Sequence, residues 1–305
     1  MLRYIFQRLL QAVVTILIVT LIIFVIVRLV GDPTYLMLPP EATEADRELL
    51  RQQLGLADPI IVQYGRFLLD LIQGDLGTSY RFSRPALDVV LERVPATLLL
   101  TTTSLGLGLL VGVPLGVASA VRPDSTVDLV AKVIALFGQA APPFFFGLVL
   151  VLFFSVDLGW LPTSGYGGVQ YLILPSVALG WYSAAGLMRL TRSNMLDVLG
   201  SEYVKLARIK GLPERVVIYK HALKNAALPV LTFASLQFGI LMGGAVSIES
   251  VFAWPGMGKL ILDSIANLDY TVVQAAVTLA AAMFTGINLA VDILYAYIDP
   301  RIRYA

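Results

Sequence analysis

The chain has 305 residues, 57% of them hydrophobic and only 14% charged, with a mean hydropathy of +0.80 and a net charge of +1. A water-soluble domain of this length cannot cover so much apolar surface, and the near-neutral balance speaks against a nucleic-acid partner or an acidic one. Cysteine is absent and His221 is the only histidine, which excludes disulfides, thiolate metal sites, cysteine nucleophiles and any site needing two imidazoles from one chain.

Uncharged runs follow one another along the chain. Each is long enough to cross roughly 30 Å of hydrocarbon, which takes about 20 helical residues. The first lies between Arg8 and Arg28. Its apolar part is too long for a secretory signal, and no small-residue cleavage site precedes Gly31-Asp32-Pro33, so it is expected to stay as a helix. Residues 31–94 form a long polar segment, whose amphipathic stretches EADRELLRQQLGL and VQYGRFLLDLI predict short helices on the outer face. The second run, between Arg93 and Arg122, opens with Pro95, which a first helical turn tolerates. It carries Gly108, Gly112 and Gly116 at four-residue intervals, a small-residue face for close helix packing.

The third run, between Lys132 and Asp157, predicts one span. From Leu158 to Met188 there is again no charge, but WLPTSGYGG is turn chemistry, so the fourth helix is expected to begin near Tyr171. The fifth run lies between Lys224 and Glu249, and the sixth between Asp269 and Asp292. The expected fold is an all-α membrane protein with six transmembrane helices. Basic residues orient it: Arg122, Lys132, Arg189, Arg192 and the run from Lys205 to Lys224 fall on one side with both termini, whereas the two short loops opposite carry only Lys259. By the positive-inside rule both termini are cytoplasmic. The organisation is then a tail and first helix (1–30), an external segment (31–94) and a five-helix core (95–305) with an inner loop at about 191–225.

That loop contains SEYVKLARIKGLPERVVIYKHALKNAALPVL, starting at Ser201. Ser201 suits an N-cap, Glu202 places negative charge in the first turn, and Lys205, Arg208 and Lys210 follow toward the C-terminus, an order that complements the helix dipole. Gly211 stands where a left-handed residue closes a helix, and Pro213 can begin the next one. A short capped helix, a tight turn and a second helix running into the fifth span are therefore predicted.

The spacing Glu202, Ala207, Gly211 and Leu228-Pro229 resembles the EAA loop of the permease subunits of ABC importers, with Ala226 at that motif's isoleucine position. The resemblance covers almost the whole chain and points to the dipeptide/oligopeptide/nickel branch, which also handles glutathione and some sugars. It rests on Arg8-Leu9-Leu10, Gly31-Asp32-Pro33 (with Val30 where the branch has proline), LGL from Leu54, GDLGTSY from Gly74, FFFGLVL from Phe144 and LGWLPTSG from Leu158. Near the end stand VFAWPGMGKLILDSI from Val251, DYTVVQ from Asp269 and NLAVDILYAYIDPRIRY from Asn288.

The resemblance implies the transmembrane domain of a type I importer in a bacterial or archaeal cytoplasmic membrane, translocating a small solute, foremost di- or oligopeptides. It implies a second homologous permease, two ABC ATPase subunits that hold ATP and Mg, and an external solute-binding protein that selects the solute. The ATPase-coupling positions would be Glu202, Tyr203, Ala207, Lys210, Gly211, Leu212 and Pro229. Gly31, Asp32, Pro33, Gly112, Pro255, Gly256, Asn288, Asp292, Asp299 and Pro300 would be family-motif positions of structural weight.

Other motifs carry less. Gly256-Met257-Gly258-Lys259 lacks the glycine and the Ser or Thr of a phosphate loop, with Ala253 and Leu260 at those positions, so this chain is not expected to be an ATPase. Thr163-Ser164-Gly165-Tyr166-Gly167 has no pore helix before it and is expected as a plain turn rather than a channel filter. Asp292, one turn after Asn288, is an ionisable group near the inner end of the sixth span, equally suited to a functional or an interfacial structural role. His221 is expected as a loop residue with no catalytic neighbour. A stand-alone transporter or channel would predict inverted repeats or broken helices with midplane charges, and an intramembrane enzyme a nucleophile and base at membrane depth; neither pattern is present.

Overall fold

The computed structural model describes residues 2–30, 34–39, 41–53 and 55–298. Gly31, Asp32, Pro33, Leu54, Asp299 and Pro300 lie outside the described residues, as does the side chain of Asp292. Among the described residues the named elements are all helices, joined by turns and loops, with one isolated bridge between Thr78 and Pro85. Among the described residues five helical stretches are long and apolar enough to cross a membrane, and a helix pair bent by 105° makes a sixth if it counts as one broken span. The chain divides into two compact units, one formed by its two ends (Met1–Ala96 with Pro255–Ala305), the other by Thr97–Trp254.

In the first unit α1 (Leu2–Val30) packs along α14 (Tyr270–Ile298), where Val27, Tyr270 and Val273 are buried together. Between them in sequence come α2 (Thr34–Met37), α3 (Glu44–Gln53) and α4 (Ile60–Ile72), the last two realising the amphipathic stretches, then α5 (Ala86–Leu91) and, after the second unit, α13 (Met257–Ala266). Ala86, Val89 and Val90 of α5 meet Met257 and Leu260 of α13 and Val272, Ala275 and Ala276 of α14 in an apolar core. Pro255 is half-buried, and buried Gly256 precedes the first turn of α13. Asn288 is half-buried on α14.

The second unit holds most of α6 (Val94–Val121), with α7 (Thr126–Ala140), α8 (Pro143–Leu150, widening into a π-helical stretch Val151–Asp157) and α9 (Val169–Leu199). It continues with α10 (Glu202–Ile209), α11 (Glu214–Val216), a π-helical stretch Val217–Ala222 and α12 (Leu223–Val251). A Cβ on Gly112 would lie 2.6 Å from Ala184 O, one on Gly116 2.6 Å from Met188 O, and one on Gly180 2.6 Å from Ser104 O. The glycine ladder is thus where the α6 and α9 backbones touch, as its spacing predicts.

Three expectations need correction. The run between Lys132 and Asp157 is not one straight span: α7 and α8 meet at 105°. Ala141 is extended at φ −88°, ψ 126°, because Pro142 and Pro143 remove two amide donors and push the preceding residue out of the helical region. The helix also starts earlier, at Thr126, capped by Ser125, whose hydroxyl accepts from the Asp128 amide at 3.3 Å. His221, finally, is not in a loop but in the helical run that enters α12. The fourth helix starts at Val169, two residues before Tyr171, and the preceding turn is fixed where the Gly165 amide donates to Phe252 O at 2.9 Å.

Candidate functional site

The site is assembled where α9 ends. Gly200 and Ser201 break the helix, and α10 begins at Glu202. Ser201 occupies the N-cap position with extended backbone, yet its hydroxyl donates back to Val198 O at 2.5 Å instead of capping α10, which corrects the capping role read from its identity. Glu202 pairs with Lys205 at 2.7 Å, a surface contact, since the Glu202 side chain is 84% exposed.

At the other end the Gly211 amide donates to Arg208 O (2.9 Å) and the Leu212 amide to Ala207 O (3.3 Å). With φ +75° at Gly211 this pair of bonds is the Schellman closure. Across the turn Arg208 donates two hydrogen bonds to Glu214, at 2.7 and 3.2 Å. The hydrogen bond to Glu214 raises the guanidinium further above its already high ordinary value, so the clasp keeps its charge.

The helix has two faces. Val204 and Ala207 are buried against Val217, with Val198 and Leu199 packed beside them. Ala207 is a small residue in this buried contact, 7% exposed. On the opposite face Leu206 and Ile209 are exposed, Ile209 at 79%, with Tyr203 exposed at the flank and Leu212 and Tyr219 exposed nearby. Lys210, the last residue before the turn, is exposed as well. Buried residues fasten this loop to the spans: Met195 of α9, Ile218, Ala222 and Ala226 meet Val117 and Ala120 of α6. Ala226 fits its buried slot with 1% exposure, while Pro229 lies exposed within α12 and is not part of that cluster.

Three buried acids escaped the reading by uncharged runs. Asp128 accepts from Arg192 Nε (2.7 Å) and Nη2 (2.9 Å), from the Asp124 amide (3.0 Å) and from Ser119, and pairs with Lys132 at 2.8 Å. It ties the start of α7 to α6 and to α9 seven residues before α9 ends; the Ser125-x-x-Asp128 spacing was its available signal. Glu249, buried on α12, accepts from Thr97 Oγ1 at 2.7 Å. Asp269 accepts from Ser79 Oγ at 2.5 Å and the Arg81 amide at 3.2 Å, anchoring the segment after α4 to the start of α14.

Two family models match, the binding-protein-dependent transport system inner membrane component over residues 112–304 and the N-terminal part of such a membrane component over residues 1–101. The chain belongs to this family: it is a multi-pass membrane protein and a permease subunit of an ABC importer. Among its relatives, the glutathione transport system permease protein GsiC of Salmonella paratyphi A (strain ATCC 9150 / SARB42) is 45% identical over 305 residues, with both chains fully covered. The oligopeptide transport system permease protein AppB of Bacillus subtilis (strain 168) is 43% identical over 316 residues, again at full coverage. In three dimensions the chain is similar to the MetNI methionine ABC transporter in its inward-facing conformations, with TM-score 0.57 and 21% identity over 69% of this chain and 96% of that one. The fold is therefore that of a type I ABC importer permease.

Proposed function

We propose that this permease imports short peptides, glutathione included, that an external binding protein delivers, and that α10 with the Gly211 turn receives the push of a separate ATPase subunit. The observation that carries the coupling role is the two-faced α10. One face is locked by Val204 and Ala207 onto α9 and the run entering α12. The other offers Leu206 and Ile209, flanked by Tyr203 and with the acid Glu202, to a partner. Three apolar side chains exposed on one short helix, rimmed by charge, are what a hydrophobic cleft in a partner protein recognises. A rigid helix fastened to two long helices passes on displacement where a flexible loop absorbs it.

The solute class follows the relatives, one a glutathione permease and one an oligopeptide permease, both matched end to end. The basic residues of the α9–α12 loop support a cytoplasmic position for it and for both termini by the positive-inside rule, and the family supports an inner membrane, bacterial or archaeal. ATP and Mg belong to two ATPase partners, and a second permease completes the pathway. The test is uptake of labelled glutathione and of a labelled tripeptide by the importer co-expressed with its partners. Uptake of at least one is expected, dependent on ATP and on the binding protein. Transport of either by this chain without an ATPase, or of neither by the full assembly, contradicts the reading.

A further inference from the structure

The first unit holds a cleft of about 250 Å³ bounded by the end of α1, the segment from Gly55 to Tyr80 and the first turns of α14. Arg28 forms part of its wall. Its Nε donates to Gln63 Oε1 at 2.7 Å, Nη1 reaches Phe24 O at 3.3 Å, and the guanidinium lies 3.3 Å over the Phe24 ring. Buried Gln63 is itself fixed, its amide nitrogen donating to Leu56 O (2.9 Å) and Asp58 O (2.8 Å). Arg28 is thus a half-buried cation held in place by neutral groups alone. Among the described residues no carboxylate pairs with it, whereas neighbouring Arg66 is taken by Asp58 at 2.6 Å. A guanidinium has five N–H donors, and the neutral contacts use two of them.

Other lining residues set the character of the wall. Tyr270 is only 5% exposed. Thr271 and Gln274 add neutral polar groups to the wall, and Asp70 and Asp75 stand exposed among the lining residues. A fixed arginine fork matches a carboxylate, and two exposed aspartates repel a polyanion while accepting an ammonium group. The volume is below the roughly 300–1,000 Å³ of pockets that enclose a whole small ligand. The cleft is sized for one end of a molecule.

We infer that this cleft grips the terminal carboxylate of a zwitterionic short peptide through Arg28, a holding site on this chain itself. It rests on the reading of the protein as a peptide importer. A phosphate headgroup is the other anion a membrane offers to such an arginine, and the test separates the two.

The sequence contains no cysteine, so Thr271→Cys places a single thiol of this chain in the cleft wall. The assembled importer is held in phosphatidylcholine nanodiscs without its binding protein, and the rate of modification by a neutral methanethiosulfonate reagent is followed. Trialanine at roughly ten times its dissociation constant is expected to slow modification about ten-fold, by the factor 1 + [L]/Kd, and its C-terminal amide to leave the rate unchanged. Adding Arg28→Gln is expected to abolish protection. Equal protection by acid and amide, or protection that survives Arg28→Gln, overturns the inference. So does protection produced by phosphatidylglycerol in place of peptide. The acid–amide comparison stands even where Arg28→Gln folds poorly. Peptide uptake by the wild-type importer without any protection at Thr271→Cys refutes only this site, while absence of all peptide uptake refutes the reading beneath it.

Discussion

Gly211 and Ala253 close two helices with the same pair of backbone bonds. At the end of α12 the Trp254 amide donates to Glu249 O (2.8 Å) and the Ala253 amide to Ser250 O (3.3 Å), repeating the pattern that closes α10. Both closing residues take positive φ, +75° at Gly211 and +48° at Ala253. The left-handed conformation costs an L-residue with a Cβ about 1–2 kcal/mol and glycine almost nothing. No atom lies within 4 Å of where a Gly211 Cβ would stand, so the cost there is purely conformational. Ala253→Gly is therefore expected to raise thermal stability by about 1 kcal/mol at most, and Gly211→Ala to lower it by about the same. Thermal unfolding of the purified importer checks both; shifts of the same sign contradict the account. The Gly211 closure was legible because glycine before Pro213 is a strong local signal. The Ser201 hydroxyl was not, because a serine at a helix start can accept from an amide of the new helix or donate to a carbonyl of the old one, and identity does not say which it does.

At the scale of elements, the α6–α9 contact is decided by backbone proximity. Gly112 packs so closely that a Cβ there meets Ala184 O at 2.6 Å and Leu187 Cβ at 3.0 Å. Gly112→Leu forces these helices apart and is expected to destabilise the protein by about 1–3 kcal/mol, with a fall in membrane abundance. Gly106, with no atom within 4 Å of its would-be Cβ, is the control, and Gly106→Leu should be tolerated. Equal melting temperatures for the two variants contradict close packing at the ladder. Four-residue spacing made this contact visible from sequence. The bend at Ala141-Pro142-Pro143 was missed because hydropathy sums over a run of residues, while a helix breaks at a single missing donor. Asp128 was missed for a related reason. A scan for uncharged runs discards the charges between them, yet this one is buried among Ser119, Lys132 and Arg192.

For the molecule as a whole, the five straight spans and their order were written in the hydropathy, but the broken third run and the division into two units were not. The first unit joins α1 to α14, at opposite ends of the chain, and no local pattern announces which distant helices will pack. The Arg28 cleft escaped for the same reason, because its wall is drawn from both ends of the sequence. The loop around α10 was legible since its helix, turn and buried alanine are all local. Its place in transport is the central claim, and it separates coupling from folding. Glu202 is solvent-exposed and Gly211 faces open space, so Glu202→Lys and Gly211→Asp should leave insertion and abundance near normal. The Arg208–Glu214 clasp is an exposed ion pair, so Glu214→Gln serves as the matched mild change. The deciding measurement is peptide uptake by the assembled importer, per permease molecule, alongside the amount of ATPase that co-purifies. The account predicts that Glu202→Lys and Gly211→Asp lose ATPase and abolish uptake while Glu214→Gln retains most of both. Wild-type uptake by the first two variants, with their ATPase still bound, would show that α10 is only a basic connector.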